Sequence, residues 1–240
     1  MLLTLLLTST LVRTQIGTLP ILISAPHGGT LVVPNCPERT GVGVSDFVTV
    51  RDTYTEELAL EIAAEIERIS GKKPHYVIAS FSRKYVDANR SIENGAESDA
   101  GRAVWNEYHD ALKAAITGMG KGLVIDVHGQ GRTANTVYRG TRNGATIKLP
   151  TGRTRDNQTT SPASLFPMLS KAGWTVFPTG DEAKEDPSFT GGYISGTYGG
   201  RAYPTSAIQM EFGGDYRRNA AARSETARVL APILLQLTAR

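Results

Sequence analysis

The chain has one cysteine, Cys36. That excludes an internal disulfide framework and any thiolate-rich zinc cluster, and a lone thiol in a proline-containing loop is read as incidental. Also missing is an internal apolar stretch of the roughly 20 residues needed to cross a bilayer. Met1 to Leu7 is apolar, but it lacks the basic flank and the small-residue cleavage site of a full signal peptide. It is read as leading into a first hairpin, in which Leu11 to Ile16 turns at Gly17-Thr18 into Leu19 to Ala25, with the stub of an export signal as the alternative. A soluble protein is expected, cytoplasmic or exported with a trimmed signal, with no membrane partner. There is no basic block and no interleaved aromatic stripe. Lys and Arg number 26 against 23 Asp and Glu, and they are scattered, so nucleic acid is not an expected partner. No repeat or linker divides the 240 residues, and 40% hydrophobic content is enough for a sizeable core, so residues 1–240 are read as a single catalytic domain.

What is present alternates. A Pro- and Gly-rich loop, Leu31 to Val50, precedes a helix from Thr53 to about Ser70, with Leu58, Ile62, Ile66 and Ile69 at helical spacing and Gly71 as its stop. A strand follows at Tyr76 to Phe81, a helix from Arg102 to about Thr117, and a doubly buried strand at Leu123 to Val127. Tyr138 to about Ser161 reads as a loop excursion with an ordered start at Tyr138-Arg139-Gly140-Thr141, Ser164 to Lys171 as a short helix, Trp174 to Phe177 as a strand and Ser188 to Tyr203 as a Gly/Tyr loop. A strand at Ala207 to Phe212 and a helix from Asn219 to Leu237 complete the series. Strands alternating with helices predict an α/β fold with a mixed, largely parallel sheet.

Histidine is scarce, with four in the chain, and two of them end apolar runs alike: Ile-Leu-Ile-Ser-Ala-Pro-His27-Gly-Gly and Gly-Leu-Val-Ile-Asp-Val-His128-Gly. Each reads as a buried strand presenting an imidazole at its C-terminal tip, where open α/β sheets place their sites. Two such tips suggest a metal. Without thiolates the remaining ligands must be carboxylates, and Arg51-Asp52-Thr-Tyr-Thr-Glu56-Glu-Leu58 offers candidates at a helix entrance. Taken alone, Asp52 reads as an N-cap and Thr53 with Glu56 as a capping box. Glu211 lies in the otherwise apolar run Ile208 to Phe212 and by the period of two shares a face with Gln209. It is read as a general base or, alternatively, as a residue on the wet face of an edge strand. Asp126 is placed to brace His128, His109 reads as a helix-face histidine satisfied by a neighbour, and His75 as a surface residue.

Together, Ser-Ala-Pro-His27-Gly-Gly, Arg51-Asp52, Tyr85-Val-Asp87-Ala-Asn89-Arg90, Tyr108-His109, Asp126-Val-His128-Gly-Gln130-Gly and Gln209-Met-Glu211-Phe resemble the N-formylglutamate amidohydrolase family from about Ile21 to Phe212. The resemblance extends, more distantly, to zinc carboxypeptidases, the succinylglutamate desuccinylase and aspartoacylase group, and zinc-dependent N-acetylmuramoyl-alanine amidases. It implies a three-layer α/β/α sandwich and a Zn2+ ion held by His27, His128 and an acidic residue. Asp52, six positions before Leu58 as in the related enzymes, is preferred to Glu56. Glu211 becomes the general base, and Asn89-Arg90 matches the pair that binds a substrate carboxylate. Arg139 and the tyrosines Tyr193 and Tyr198 sit in segments placed to close on substrate, the tyrosines as oxyanion donors. The implied activity is zinc-dependent hydrolysis of an amide bond in a small-molecule or peptide substrate bearing a carboxylate. A zinc carboxypeptidase or cell-wall peptide amidase is the alternative, and a non-enzymatic metal-dependent binding protein is a further one.

Overall fold

The computed structural model describes residues 11–153, 159–180, 184–200 and 202–239. The apolar segment Met1 to Leu7 lies outside them. The strands are β1 (Val12–Gln15), β2 (Ile21–Ala25), β3 (His75–Ala79), β4 (Gly122–Gly129), β5 (Val137–Gly140), β6 (Gly152–Arg153), β7 (Thr159–Thr160), β8 (Val176–Phe177) and β9 (Thr205–Phe212). The helices are α1 (Thr55–Ser70), α2 (Ile92–Gly95), α3 (Asp99–Met119), α4 (Leu165–Lys171), α5 (Tyr193–Tyr198) and α6 (Ala220–Leu237). Seven strands form one mixed sheet in the order β1-β3-β2-β4-β9-β5-β8, while β6 and β7 pair separately. β3, β2, β4 and β9 run parallel; β1 and β5 lie antiparallel to their neighbours β3 and β9. This is the expected α/β class with helices on both faces.

Strand parity separates the two faces. Ile21, Ile23, Ile125, Val127, Ile208 and Met210 pack with Leu58, Ile62 and Ile66 of α1 and with Leu230 and Leu234 of α6. Leu22, Val124 and Ala207 face the other way, onto Tyr108, Leu112 and Ile116 of α3 and onto Ile194 and Tyr198 of α5. On this second face, toward the C-terminal tips, the apolar residues give way to a polar row. Ser24 is beside Asp126, Asp126 beside Gln209 and His128 beside Glu211 in register.

Several expectations are corrected. The first two strands make no hairpin: β1 pairs with β3, because the chain crosses below Lys73, which accepts from Thr18 and Leu19 N–H groups, before β2 enters beside β3. Ile69 is exposed rather than part of the α1 stripe. The ordered start expected at Tyr138 is β5, a strand of the main sheet that begins at Val137, while the Gly/Tyr segment, read as a loop, contains α5. β9 is an interior strand, so the wet-edge reading of Glu211 fails. His75 is buried, and its Nδ1 accepts the Gly17 N–H at 3.2 Å. No helix among the described residues is long and apolar enough to cross a membrane.

His109 is fully buried on α3 and stacks on Trp105 with ring centroids 3.7 Å apart. Its Nε2 lies 2.9 Å from Ala88 O and its Nδ1 2.7 Å from the Tyr198 hydroxyl. A carbonyl only accepts, so Nε2 carries the proton and Nδ1 accepts from Tyr198. The neighbour-satisfied reading of this histidine therefore holds, and through Ala88 it anchors the Asp87–Arg90 turn.

Burial pushes the His109 pKa down to about 4. The unfolded chain, at about 6.5, then takes up a proton that the folded chain refuses. Stability contributed by neutral His109 is thus complete above about pH 6.5 and is lost as the pH falls toward 4, on the order of 3 kcal/mol over that window. Urea titrations between pH 4 and 7 should show this slope reduced in His109→Gln; equal slopes would remove the assignment. A second expectation concerns glycine. A Cβ at Gly29 would lie 2.2 Å from the Ser80 carbonyl carbon, whereas one at Gly118 on α3 meets nothing within 4 Å. Gly29→Ala should cost about 1–3 kcal/mol by overpacking, and Gly118→Ala should add about 0.5–1 kcal/mol, both read from urea unfolding.

Candidate active site

The tips of β2 and β4 carry His27 and His128, whose ring centroids are 4.8 Å apart. Asp52 reaches them from the residues before α1. Its Oδ2 is 3.2 Å from His128 Nδ1, 3.5 Å from His27 Nδ1 and 3.1 Å from the Gly129 N–H, which donates to it. Ligand atoms of the three side chains lie within 4.8 Å of one another. Asp52 is not a cap. The N-cap position of α1 is Tyr54, in the left-handed region at φ 66°, and no side chain caps the helix. Instead Thr55 donates through N–H and Oγ1 to the Asp52 carbonyl, which frees the Asp52 carboxylate to turn toward the histidines. Glu56 turns elsewhere, accepting from Ser80 Oγ at 3.0 Å and Arg13 at 3.3 Å. The structure thus brings Asp52, not Glu56, to the imidazoles.

Each imidazole has a carboxylate behind it. His27 Nε2 is 2.7 Å from Asp87 Oδ1, and His128 Nε2 is 3.0 Å from Asp126 Oδ2. A carboxylate at Nε2 fixes the proton there and turns the Nδ1 lone pair toward Asp52. Asp126 is held in turn by the Ser24 hydroxyl at 2.8 Å. Asp87, wholly buried, also accepts from Arg83 Nε at 2.9 Å and has Arg90 at 3.4 Å and Arg39 at 3.8 Å.

Burial alone would raise the Asp52 pKa, but the neighbouring His128 and His27 hold it far below the usual carboxylate range. Burial likewise opposes ionisation of Asp87, and His27, Arg83 and Arg39 overcome it. Burial disfavours charge on His128, yet Asp126, Asp52 and Glu211 raise its pKa well above the ordinary value. Three carboxylates around one imidazole favour positive charge there. His27 Nδ1 is buried with no hydrogen-bond partner, a lone pair directed at the Asp52 carboxylate. That orphaned nitrogen, with two imidazoles and one carboxylate as donors, fits a divalent metal such as zinc.

Glu211 stands beside His128 in the β4–β9 register, and its Oε1 accepts from Gln209 Nε2 at 2.8 Å. Burial raises its pKa; Asp52 adds to the rise, and His128 and His27 oppose it. Asn89 joins the site to α5. Its Nδ2 lies 3.2 Å from His128 Nε2 and donates to Gln209 Oε1 at 3.1 Å, while its Oδ1 accepts the Ile194 N–H at 2.8 Å.

A cavity of about 780 Å³ opens here, lined in part by Arg83, Asn89, Arg90, Arg142, Tyr193 and Gln209. Arg83, Asn89 and Gln209 are also contacts of Asp52, His128 and Glu211, so the cavity adjoins the centre. Arg90 donates to the Ser45 carbonyl at 3.2 Å and to that of Asp46. Arg139 is a correction: paired with Met210, it faces the apolar side of the sheet, 1% exposed, with Nε on Glu185 Oε1 at 3.0 Å. Arg142, three residues on, lines the cavity instead. Tyr198 is also committed away from the cavity, to His109. Sequence reading gave no role to Arg83 or Arg142. Neither had a local signal: Arg83 meets Asp87 across a turn and not along a helix, and Arg142 reaches the cavity from the end of β5.

No family model and no curated protein sequence matches the chain. Among solved structures, N-formylglutamate amidohydrolase from Ralstonia eutropha JMP134 is 16% identical with a TM-score of 0.63, over 96% of this chain and 98% of that one. A gene product from Agrobacterium tumefaciens is 15% identical with a TM-score of 0.58, over 95% of this chain and 92% of that one. Resemblance by motif and likeness by fold therefore reach the same place: the chain is built on the α/β architecture of N-formylglutamate amidohydrolase.

Proposed function

We propose that the protein is a zinc-dependent amidohydrolase that cleaves an amide bond in a carboxylate-bearing small molecule or peptide, such as an N-acyl amino acid. One observation carries this reading: two buried imidazoles, each backed by a carboxylate at Nε2, direct Nδ1 at a shared oxygen of Asp52, with the carboxyl group of Glu211 alongside. The fold shared with an amidohydrolase supports it. His27, Asp52 and His128 would hold the ion. Zinc in that position supplies a Lewis acid that acidifies water toward a pKa of about 7 and polarises a carbonyl.

The protein's own groups do the rest. Glu211, whose pKa burial raises, takes a proton from the attacking water and returns it to the leaving nitrogen. Gln209 holds Oε1, which orients the carboxyl and assigns Oε2 to the proton. Arg90, with Arg83 and Arg142 on the cavity wall, offers guanidinium forks that fit a substrate carboxylate. Asn89 fixes the turn that carries Arg90 against α5.

A screen of N-formyl-, N-acetyl- and N-succinyl-amino acids, γ-glutamyl peptides and muropeptides, with metal analysis of the same sample, tests the reading. Activity should vanish on chelation and return with zinc. Glu211→Gln should keep one zinc per chain while kcat falls by about 10² to 10⁴. Undiminished turnover after exhaustive chelation, or in that variant, would sink the mechanism. Arg90→Ala should raise KM for the carboxylate substrate about 10- to 100-fold with a smaller change in kcat, as expected for loss of a charge-assisted hydrogen bond.

A further inference from the structure

Arg217 lies just beyond the tip of β9, 7% exposed, with its guanidinium among carbonyls. Nε donates to Phe212 O at 3.0 Å, Nη2 to Gln130 O at 3.1 Å, and Nη1 to Thr53 Oγ1 at 2.8 Å and to Thr53 O. Each acceptor lies within two positions of a residue of the candidate site. Phe212 follows Glu211, Thr53 follows Asp52, and Gln130 stands two after His128.

β4 and β9 are already joined by their ladder, which sets His128 beside Glu211. The Asp52–Thr53 segment belongs to no strand; the Asp52 N–H donates to the His27 carbonyl at 3.1 Å and the Asp52 side chain accepts from Gly129, but among the described residues no backbone-to-backbone hydrogen bond joins the segment to β4 or β9. Arg217 bridges it to both. The space is reserved for the guanidinium: a Cβ at Gly129 would lie 2.7 Å from Arg217 Cζ. A planar fork with five donors can serve three backbone directions at once, which an ammonium cannot do in the same geometry. Burial lowers its pKa, and the nearby Asp52 and Glu211 charges oppose that.

We propose that Arg217 is a positioning residue: by tying Thr53, Gln130 and Phe212 to one guanidinium, it sets Asp52 and Glu211 against the histidine pair. The metal-affinity arm of its test rests on the reading of His27, Asp52 and His128 as zinc ligands. The positioning itself does not.

The experiment compares wild type, Arg217→Ala and Arg217→Lys for zinc affinity by chelator competition, for kcat and KM, and for the crystal structure of each metal-free protein. Zinc affinity and kcat should fall about 10- to 100-fold in Arg217→Ala, the range typical of residues that orient metal ligands, with KM changing less than threefold. Added guanidinium at millimolar concentration should recover part of both in Arg217→Ala, and the metal-free structure should show Asp52 displaced from His128. If Arg217→Ala does not fold, Arg217→Lys is read by the same measurements. Wild-type zinc affinity together with an unmoved Asp52 in a folded variant overturns the proposal. A wild-type protein that takes up no zinc overturns the metal reading instead, and the displacement of Asp52 then decides the role of Arg217 by itself.

Discussion

Oδ2 of Asp52 is the meeting point of two imidazoles and a backbone N–H, at 3.5, 3.2 and 3.1 Å. A carboxylate taken this far from water costs several kcal/mol unless charge or hydrogen bonds replace the lost hydration. The Gly129 N–H donates to it, and the two imidazoles flank it from two strand tips, His27 from beyond β2 and His128, next to Gly129, from β4. The local cost is visible at the start of α1. The helix forgoes a side-chain cap, worth about 1 kcal/mol, and Tyr54 takes a left-handed conformation that a bulky residue seldom adopts. Both departures follow from turning Asp52 away from its own helix.

The sheet makes the rest of the arrangement possible. One face of β2, β4 and β9 is almost wholly apolar and packs under α1 and α6, which gives the strands a closely packed support. The opposite face becomes polar only near the tips, where Ser24, Asp126, Gln209, His128 and Glu211 form a connected row. Parallel pairing keeps such a row at one height, since neighbouring strands present equivalent residues side by side. Asp87 gives the row a second anchor outside the sheet, joining His27 to Arg83 and, more loosely, to Arg90 and Arg39.

Much of this was legible in the sequence where a local rule decided it. Apolar runs ending in His-Gly placed two imidazoles at strand tips, and the period of two put Glu211 and Gln209 on one face. Asp126 was readable as a brace because two residues along a strand is the same side. What failed depended on partners distant in the chain. Arg139 lies on a strand, but the face it takes is set by its pairing with Met210, which no single-strand pattern reveals. The expected hairpin assumed that consecutive strands pair, whereas β3 inserts between β1 and β2. Helix α5 has only six residues, and its first turn is pinned by Asn89 rather than announced by periodicity. His75 looked exposed beside Pro74 and is buried because Gly17 closes over it.

Asn89 touches His128 on one side and α5 on the other, and a Cβ at Gly192 would lie 2.2 Å from its side-chain nitrogen. The residues that line the cavity therefore differ in their freedom to diversify. The wall nearest the histidines accepts no added atom at position 192 without moving a group that also touches the centre. Arg142, which also lines the cavity, is tied to that same position, its Nη2 donating to the Gly192 carbonyl at 3.2 Å, whereas Pro187 and Ser188 line it from the turn after Asp186. A lineage descending from this protein could exchange one substrate for another at Pro187 and Ser188 more readily than at Gly192 or Arg142.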